Sequence, residues 1–186
     1  MDLVSPYFVP TQEGTDALIA IAARGVKVRV LTNSLAATDV APVYAGYVKY
    51  REALLRGGVR LFELKPQSDA RPHGKVGASS AASLHAKTFA IDRSRIFIGS
   101  FNLDPRSARL NTEVGVVLES PTLATQLSDA FDRGIPERAY EVRLTSDRTG
   151  VEWIERTAAG EVRHSSTPGA SAWRMVFVNL LRLLPI

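Results

Sequence analysis

Apolar positions recur along this chain with two periods, and the alternation between those periods outlines a layered fold. Leu3 to Val9 is an apolar run interrupted by Ser5-Pro6 and closed by Pro10-Thr11, the pattern of a short strand. Thr11 then reads as the N-cap of a helix over residues 12–24, with Leu18, Ile21 and Ala22 on one face and Gly25 as its stop. Val26 to Leu31 alternates apolar and basic residues, as a half-buried strand does, and Thr32-Asn33-Ser34 follows at its carboxyl end. Tyr47, Tyr50, Leu54 and Leu55 return to helical spacing before Gly57-Gly58, and Val59 to Leu64 makes a third strand. The order β-α-β-α-β predicts a layered α/β domain with parallel strands. In such sheets, loops like Thr32-Asn33-Ser34 lie where ligands usually bind.

The second half is more broken. Gln67 to Ser83 combines early charges with Gly, Ala and Ser and reads as a flexible connection. Two short strands, 84–91 and 95–98, turn through Asp92-Arg93-Ser94; a further strand is expected over 113–118 and a helix over 121–133, with Pro121 in its first turn. Beyond Pro136 the pattern changes to short strands over 140–144 and 151–156, then a turn at Ala159-Gly160. The end is helical over 172–184. Its stripe of Trp173, Val176, Phe177, Leu180, Leu181 and Leu184 reads as core packing in preference to a membrane-interface element.

Composition narrows the classes of function. The 186 residues carry 23 Lys+Arg against 19 Asp+Glu, a net charge of +4, and no cysteine. Disulfides, thiolate zinc sites and cysteine nucleophiles are excluded. A pI of 9.6 permits a phosphate-bearing partner, either nucleic acid or anionic lipid, without requiring one. The first residues lack the basic and apolar regions of a signal peptide, and no run approaches the ~18 apolar residues of a membrane span. A soluble or peripheral protein is expected.

One stretch concentrates chemistry: Leu84-His85-Ala86-Lys87-Thr88-Phe89-Ala90-Ile91-Asp92, followed by Ile98-Gly99-Ser100-Phe101-Asn102. On a strand, residues two apart share a face, so His85 and Lys87 are expected to project together. An imidazole beside an ammonium is an unfavourable pair unless an anion sits between them and the rest of the pocket. Gly99, Ser100 and Asn102 offer a Cβ-free backbone, a hydroxyl and an amide, all suited to coordinating an anion. Together these residues describe a phosphate site that holds a potential nucleophile.

The spacing His85-x-Lys87-x4-Asp92-x6-Gly99-Ser100-x-Asn102 resembles, at every fixed position, the HKD motif of the phospholipase D superfamily. Residues 5–10, 31–40 and 58–64, and the ending from Trp173 to Ile186, are similar to the second half of bacterial cardiolipin synthases of the C type. The resemblance implies a phospholipase D-like α/β sandwich: a mixed β-sheet flanked by helices, one half of a pseudo-twofold pair. Residues 1–136 would form the catalytic half-domain, and 137–186 an extension packed on it. His85, Lys87 and Asn102 would be catalytic, with Glu113 orienting the motif histidine. Gly99, Ser100 and Asp92 would bind or support the phosphate, and no metal or cofactor is implied.

The same resemblance implies transfer of phosphatidyl groups between phospholipids such as phosphatidylglycerol, through a phosphohistidine, at the bacterial inner membrane. That chemistry takes two imidazoles, because a histidine bonded to phosphorus cannot also protonate the leaving alcohol. This chain has one complete motif. His73-Gly74-Lys75 imitates its opening, but Ser80 stands where the Asp belongs, so His73 reads as a loop residue. A second HKD-bearing half or a homodimer partner is therefore expected, with His85 as general acid. His164, Asn33 and Tyr47 read as structural. The rival readings are a homodimeric phosphodiesterase acting on nucleic acid, which the lipid-enzyme likeness disfavours, and an inactive fragment.

Overall fold

The fold, from a computed structural model, is described for residues 1–66 and 84–181. Strands β1 (Asp2–Val4), β2 (Arg29–Asn33) and β3 (Arg60–Leu64) pair in parallel, connected by helices α1 (Thr11–Ala23) and α2 (Ala41–Arg56). On the β1 side follow β4 (Thr88–Ile91), β5 (Arg95–Gly99) and β6 (Gly115–Glu119), all antiparallel to their neighbours. Beyond β3, the strands β7 (Ala139–Leu144), β8 (Val151–Thr157) and β9 (Gly160–His164) pair antiparallel in turn. The result is one nine-stranded mixed sheet, ordered β6-β5-β4-β1-β2-β3-β7-β8-β9. The strands after Pro136 thus extend the same sheet, with Leu61 opposite Val142.

Helices cover both faces of the centre. Against one face lie α1, α2 and α6 (Ala172–Leu181), over Leu3, Val28, Val30, Leu61 and Val142. Against the other lie α4 (Pro121–Asp129), a π-helical turn (Ala130–Gly134) and α5 (Ile135–Arg138), packed on Val4, Leu31, Phe62, Ala90 and Ile96. Because both sides are covered, β2 is buried along its whole length instead of half-buried. Its Arg29 is tolerated inside because carboxylates meet it. The covering of the first face is likewise partly polar: Glu63, fully buried, accepts hydrogen bonds from Tyr44 (3.1 Å) and from Trp153 Nε1 (3.0 Å), with Arg51 3.4 Å away.

Several elements differ from their sequence pattern. Pro10, not Thr11, occupies the N-cap position of α1, and the Thr11 hydroxyl turns to Glu13 (2.7 Å). Helix α3 (Pro105–Arg109) and strand β9 were not anticipated. The signal for α3 lay in Asp104-Pro105: the Asp104 carboxylate accepts the backbone N–H groups of Arg106 and Ser107, and proline fills the first turn. Of the expected α6 stripe, Trp173, Val176, Phe177 and Leu180 point outward, Leu181 turns to the core, and Leu184 lies outside the described residues. Trp173 is 80% exposed and Leu180 62%, while Val178 is buried and Met175 and Leu181 pack on the core. Helical period locates an apolar stripe without saying which side of the helix the core claims.

Candidate active site

The site is built at the carboxyl ends of the parallel strands, where the loops after β1 and β2 meet the start of β4. His85 and Lys87 lie just before β4 rather than on it. The ladder nevertheless extends one step toward them, since the Gly99 N–H donates to the Lys87 carbonyl at 3.1 Å. Asn33, at the end of β2, grips the residue before the histidine. Its Oδ1 accepts the Leu84 N–H at 3.0 Å, and its amide nitrogen reaches the Leu84 carbonyl at 3.5 Å. Asn33 is therefore structural in a specific sense: it anchors the segment that carries His85.

Around this anchor opens a cleft of about 940 Å³. His85, Lys87, Gly99, Ser100 and Asn102 all line it, together with Tyr7 and Asp39 from the loops after β1 and β2. His85 is exposed, and the Lys87 ammonium donates to the His85 backbone carbonyl at 2.9 Å and has no carboxylate partner among the described residues. Asn102 is buried, and its Oδ1 has no hydrogen-bond partner. A buried amide oxygen left unpaired is costly. The backbone beyond Asn102 is tied to the β1 loop, for Leu103 N–H donates to Ser5 Oγ (3.1 Å) and Val9 N–H to the Leu103 carbonyl (2.7 Å).

Gly99 and Ser100 act through β6. A Cβ on Gly99 would lie 2.5 Å from the Val114 carbonyl oxygen and 2.8 Å from Gly115 Cα, so only glycine allows the two backbones to meet there. The Ser100 hydroxyl donates to the Glu113 carboxylate and accepts the Val114 N–H at 3.0 Å. Glu113 also accepts from the Asn111 amide at 3.1 Å, and the Ser100 hydroxyl, followed by that amide, holds its carboxyl below the ordinary carboxylate range. Glu113 thus orients Ser100. It makes no hydrogen bond to His85 within the described residues.

Asp92 is not brought to the cleft. It sits with Arg93 in the β4–β5 turn, at the other end of the hairpin, both in the left-handed region (φ 52° and 51°). With Ser94, whose N–H donates to the Ile91 carbonyl at 3.1 Å, they make the three-residue turn between the paired Ile91 and Arg95, and Asp tolerates such positive φ well. His164 hydrogen-bonds Glu155 at 2.9 Å on β8 and β9, and Tyr47 is a buried core residue. His73 and the connection over 67–83 lie outside the described residues. Tyr7 and Asp39 escaped the sequence reading. They are joined at 3.3 Å, and burial, then the neighbouring Asp39, raises the Tyr7 phenol above its ordinary value. Their one signal was position, just beyond two parallel strands. Among the described residues, no group of three or more His, Cys, Asp or Glu is placed to hold a metal ion.

A single imidazole, an ammonium and the Asn102 amide on one cleft wall suit phosphate recognition and proton or nucleophile chemistry at phosphorus. Comparison with known proteins agrees with that chemistry. Residues 1–135 match the family described as cardiolipin synthase, PLD-like domain. Over its whole length the chain is 47% identical to cardiolipin synthase C of Escherichia coli K12, of which it covers 40%. Over 73% of its length it is 38% identical to cardiolipin synthase A of Pseudomonas aeruginosa LESB58, of which it covers 24%. The chain therefore spans about two fifths or less of the length of these curated relatives. Among solved structures, Nuc from Salmonella typhimurium, a phospholipase D family member, superposes with a TM-score of 0.57 at 19% identity, covering 76% of this chain and 80% of that one. A phosphatidylserine synthase from Haemophilus influenzae gives 0.53 at 17% identity, over 75% and 33%. At these identities the structural likeness speaks for the fold.

Proposed function

The chain belongs to the cardiolipin synthase, PLD-like family of the phospholipase D superfamily, and from that premise we propose that it is half of a phosphatidyltransferase acting on phospholipids such as phosphatidylglycerol. The observation that carries the reading is the convergence of His85, Lys87, Ser100 and Asn102 on one open cleft. One imidazole lines that cleft among the described residues, and the reaction needs two. The second would come from another HKD-bearing half or from a second copy of the chain.

In this reading the partner imidazole attacks the donor's phosphorus. A nitrogen–phosphorus bond forms, and the phosphorus–oxygen bond to the leaving alcohol breaks. His85, as imidazolium, gives its proton to the departing oxygen. An acceptor hydroxyl then returns a proton to His85 while its oxygen displaces the phosphohistidine nitrogen, restoring both histidines. Lys87 and Asn102 would hold the phosphoryl oxygens and stabilise the charge that develops on them. Ser100, fixed by Glu113, would shape the floor of the site. Gly99 would allow the close backbone approach beneath it, and Asp92 would serve the hairpin alone. A bacterial membrane is where such substrates reside, and peripheral attachment at the inner membrane is the setting that fits.

The test is transfer by the full-length protein on phosphatidylglycerol, with products resolved by mass spectrometry and the covalent intermediate trapped in acid-free quench. Transfer lost in the His85→Ala variant, with the phosphatidyl group of the wild-type intermediate captured on the partner histidine, is the expected result. Unchanged transfer in that variant would overturn the assignment. Phosphate captured on His85 itself would reverse its role from acid to nucleophile. Salt-steep binding of single-stranded or duplex DNA, with no lipid turnover, would favour the nucleic-acid phosphodiesterase instead.

A further inference from the structure

Helix α6 carries an apolar stripe that the fold leaves open. Trp173, Val176, Phe177 and Leu180 are 80%, 55%, 50% and 62% exposed. At 3.6 residues per turn they share an arc of about 100°. The opposite side is spoken for: Val178 is buried, and Met175 and Leu181 pack into the core over α2. Scattered exposed apolar residues need no explanation, but four on one contiguous arc mark an interaction surface.

Two further observations indicate what lies against it. Helix α6 carries no acidic residue, and Arg174 is its one charged side chain, so the charge the helix itself brings to this stripe is basic. An amphipathic helix with a tryptophan at its start, aliphatic and aromatic residues on one face and no acidic side chain of its own fits the boundary between headgroups and acyl chains. The stripe is also joined to the cleft. The Arg174 guanidinium donates to the Thr38 carbonyl at 3.2 Å, and the next residue, Asp39, lines the cleft and accepts from Tyr7. Helix α6 therefore begins beside a loop that forms the rim of the site.

We propose that the Trp173–Val176–Phe177–Leu180 face of α6 seats the protein on an anionic phospholipid surface, with the cleft rim held beside the headgroups. This rests on the lipid-transfer reading for its purpose, but the seating itself is a binding event and is measured without turnover. It assigns to the terminal helix a task that core packing does not: about half of its residues face outward so that the site need not wait for lipid to leave the bilayer.

The experiment floats the full-length protein with vesicles of phosphatidylcholine alone, or of roughly equal parts phosphatidylcholine and phosphatidylglycerol. Wild type is expected to float with the anionic vesicles. Losing three interfacial apolar side chains in a Trp173→Ala/Phe177→Ala/Leu180→Ala variant is expected to lower the partition coefficient about tenfold or more. These side chains are largely exposed, so the variant should keep its thermal midpoint. A conservative Trp173→Phe/Phe177→Leu/Leu180→Met variant should float as wild type does. Equal flotation of the alanine variant would overturn the proposal. So would a change in its sedimentation without vesicles, which would mean that protein covers the stripe. The proposed function fails separately, if wild type transfers nothing on detergent-dispersed lipid. The alanine variant is expected to keep transfer there and to lose it on vesicles.

Discussion

At the amino ends of β1 and β2, Arg29 is held from three directions. Asp2 meets its Nε at 2.5 Å, Asp132 its Nη1 at 2.5 Å, and the Ser128 carbonyl lies 3.3 Å from Nη2. Ser128 Oγ closes the ring by donating to Asp2 at 2.5 Å, and Arg93 binds Asp129 and Asp132 at 2.7 Å each. At the carboxyl ends of the same strands, Lys87 has only a backbone carbonyl, the His85 ring stands exposed, and Asn102 keeps a buried oxygen without a partner. Both ends use charged and polar groups on the same sheet. One end satisfies them internally and gains rigidity. The other leaves their bonding capacity for something that arrives. Between these two ends of the sheet, incomplete satisfaction, more than the presence of charge, marks the site.

The sharpest way to break this comparison is to exchange the consequences of mutation at the two ends. His85→Ala is expected to lower lipid transfer by about 10²–10⁴-fold, the usual contribution of a general acid. The same change should leave unfolding free energy within about 0.5 kcal/mol, as for other exposed residues. Transfer rates and urea titrations on one preparation decide it, and a large stability loss would mean that the cleft is scaffold too.

Arg29→Met should do the reverse. Asp2 would be left buried without its partner, at a cost of about 3–5 kcal/mol, read as a lower urea midpoint. Activity per folded molecule should change little. If stability were unaffected, the paired end would not be the rigid one.

Asn33 sharpens the boundary because it belongs to both ends' logic: it is buried and bonded, yet it serves the cleft. Asn33→Ala would leave the Leu84 N–H unpaired and should cost about 1–3 kcal/mol. It should also loosen His85, so transfer falls while the apparent affinity for lipid holds. Asn33→Asp keeps the acceptor for the Leu84 N–H but sets a buried carboxylate oxygen against the Leu84 carbonyl, so it is expected to recover little of the stability.

The smallest effect is the acid limb. Burial pushes the Asp132 carboxyl up, but the Arg29 hydrogen bond and charge, with Lys27 and Arg93, outweigh it and leave the group below its ordinary 3.8. A carboxyl depressed in the folded state contributes stability that is complete above the ordinary value. That contribution is lost as pH falls through the folded one. Asp132 is about one-third exposed, so solvent screens the effect. Asp132→Asn should lower stability modestly at neutral pH and flatten its decline in acid, measured by thermal midpoints across pH.

Much of this molecule could be read from its residues in order. The β-α-β-α-β alternation appears as β1, α1, β2, α2 and β3 in parallel pairing, because side-chain period follows from backbone geometry alone. The motif placed His85, Lys87, Gly99, Ser100 and Asn102 in one cleft, because a tight hairpin brings residues on either side of its turn together. Other features needed contacts between distant segments. The motif resemblance grouped Asp92 with the site, although its place in the turn puts it at the end of the hairpin opposite the open strands. Nothing near Glu113 announces that Ser100, thirteen residues earlier, would claim its carboxylate. The apolar stripe of α6 was visible, but Val178 and Met175 fit against the core and draw Leu181 with them, which leaves Trp173, Val176, Phe177 and Leu180 outward.

By itself, then, the sequence determined the local elements, their parallel order and the chemical identity of the motif, all of which depend on short-range periodicity or fixed residue types. Tertiary structure alone decided which charges are paired. Arg29 meets Asp132 across 103 residues, while Lys87 meets no carboxylate among the described residues. The physical reason is that solvation and electrostatic cost are properties of an environment assembled from remote segments. A lysine or arginine in a string of letters carries the same charge whether the fold neutralises it or leaves it facing a cleft.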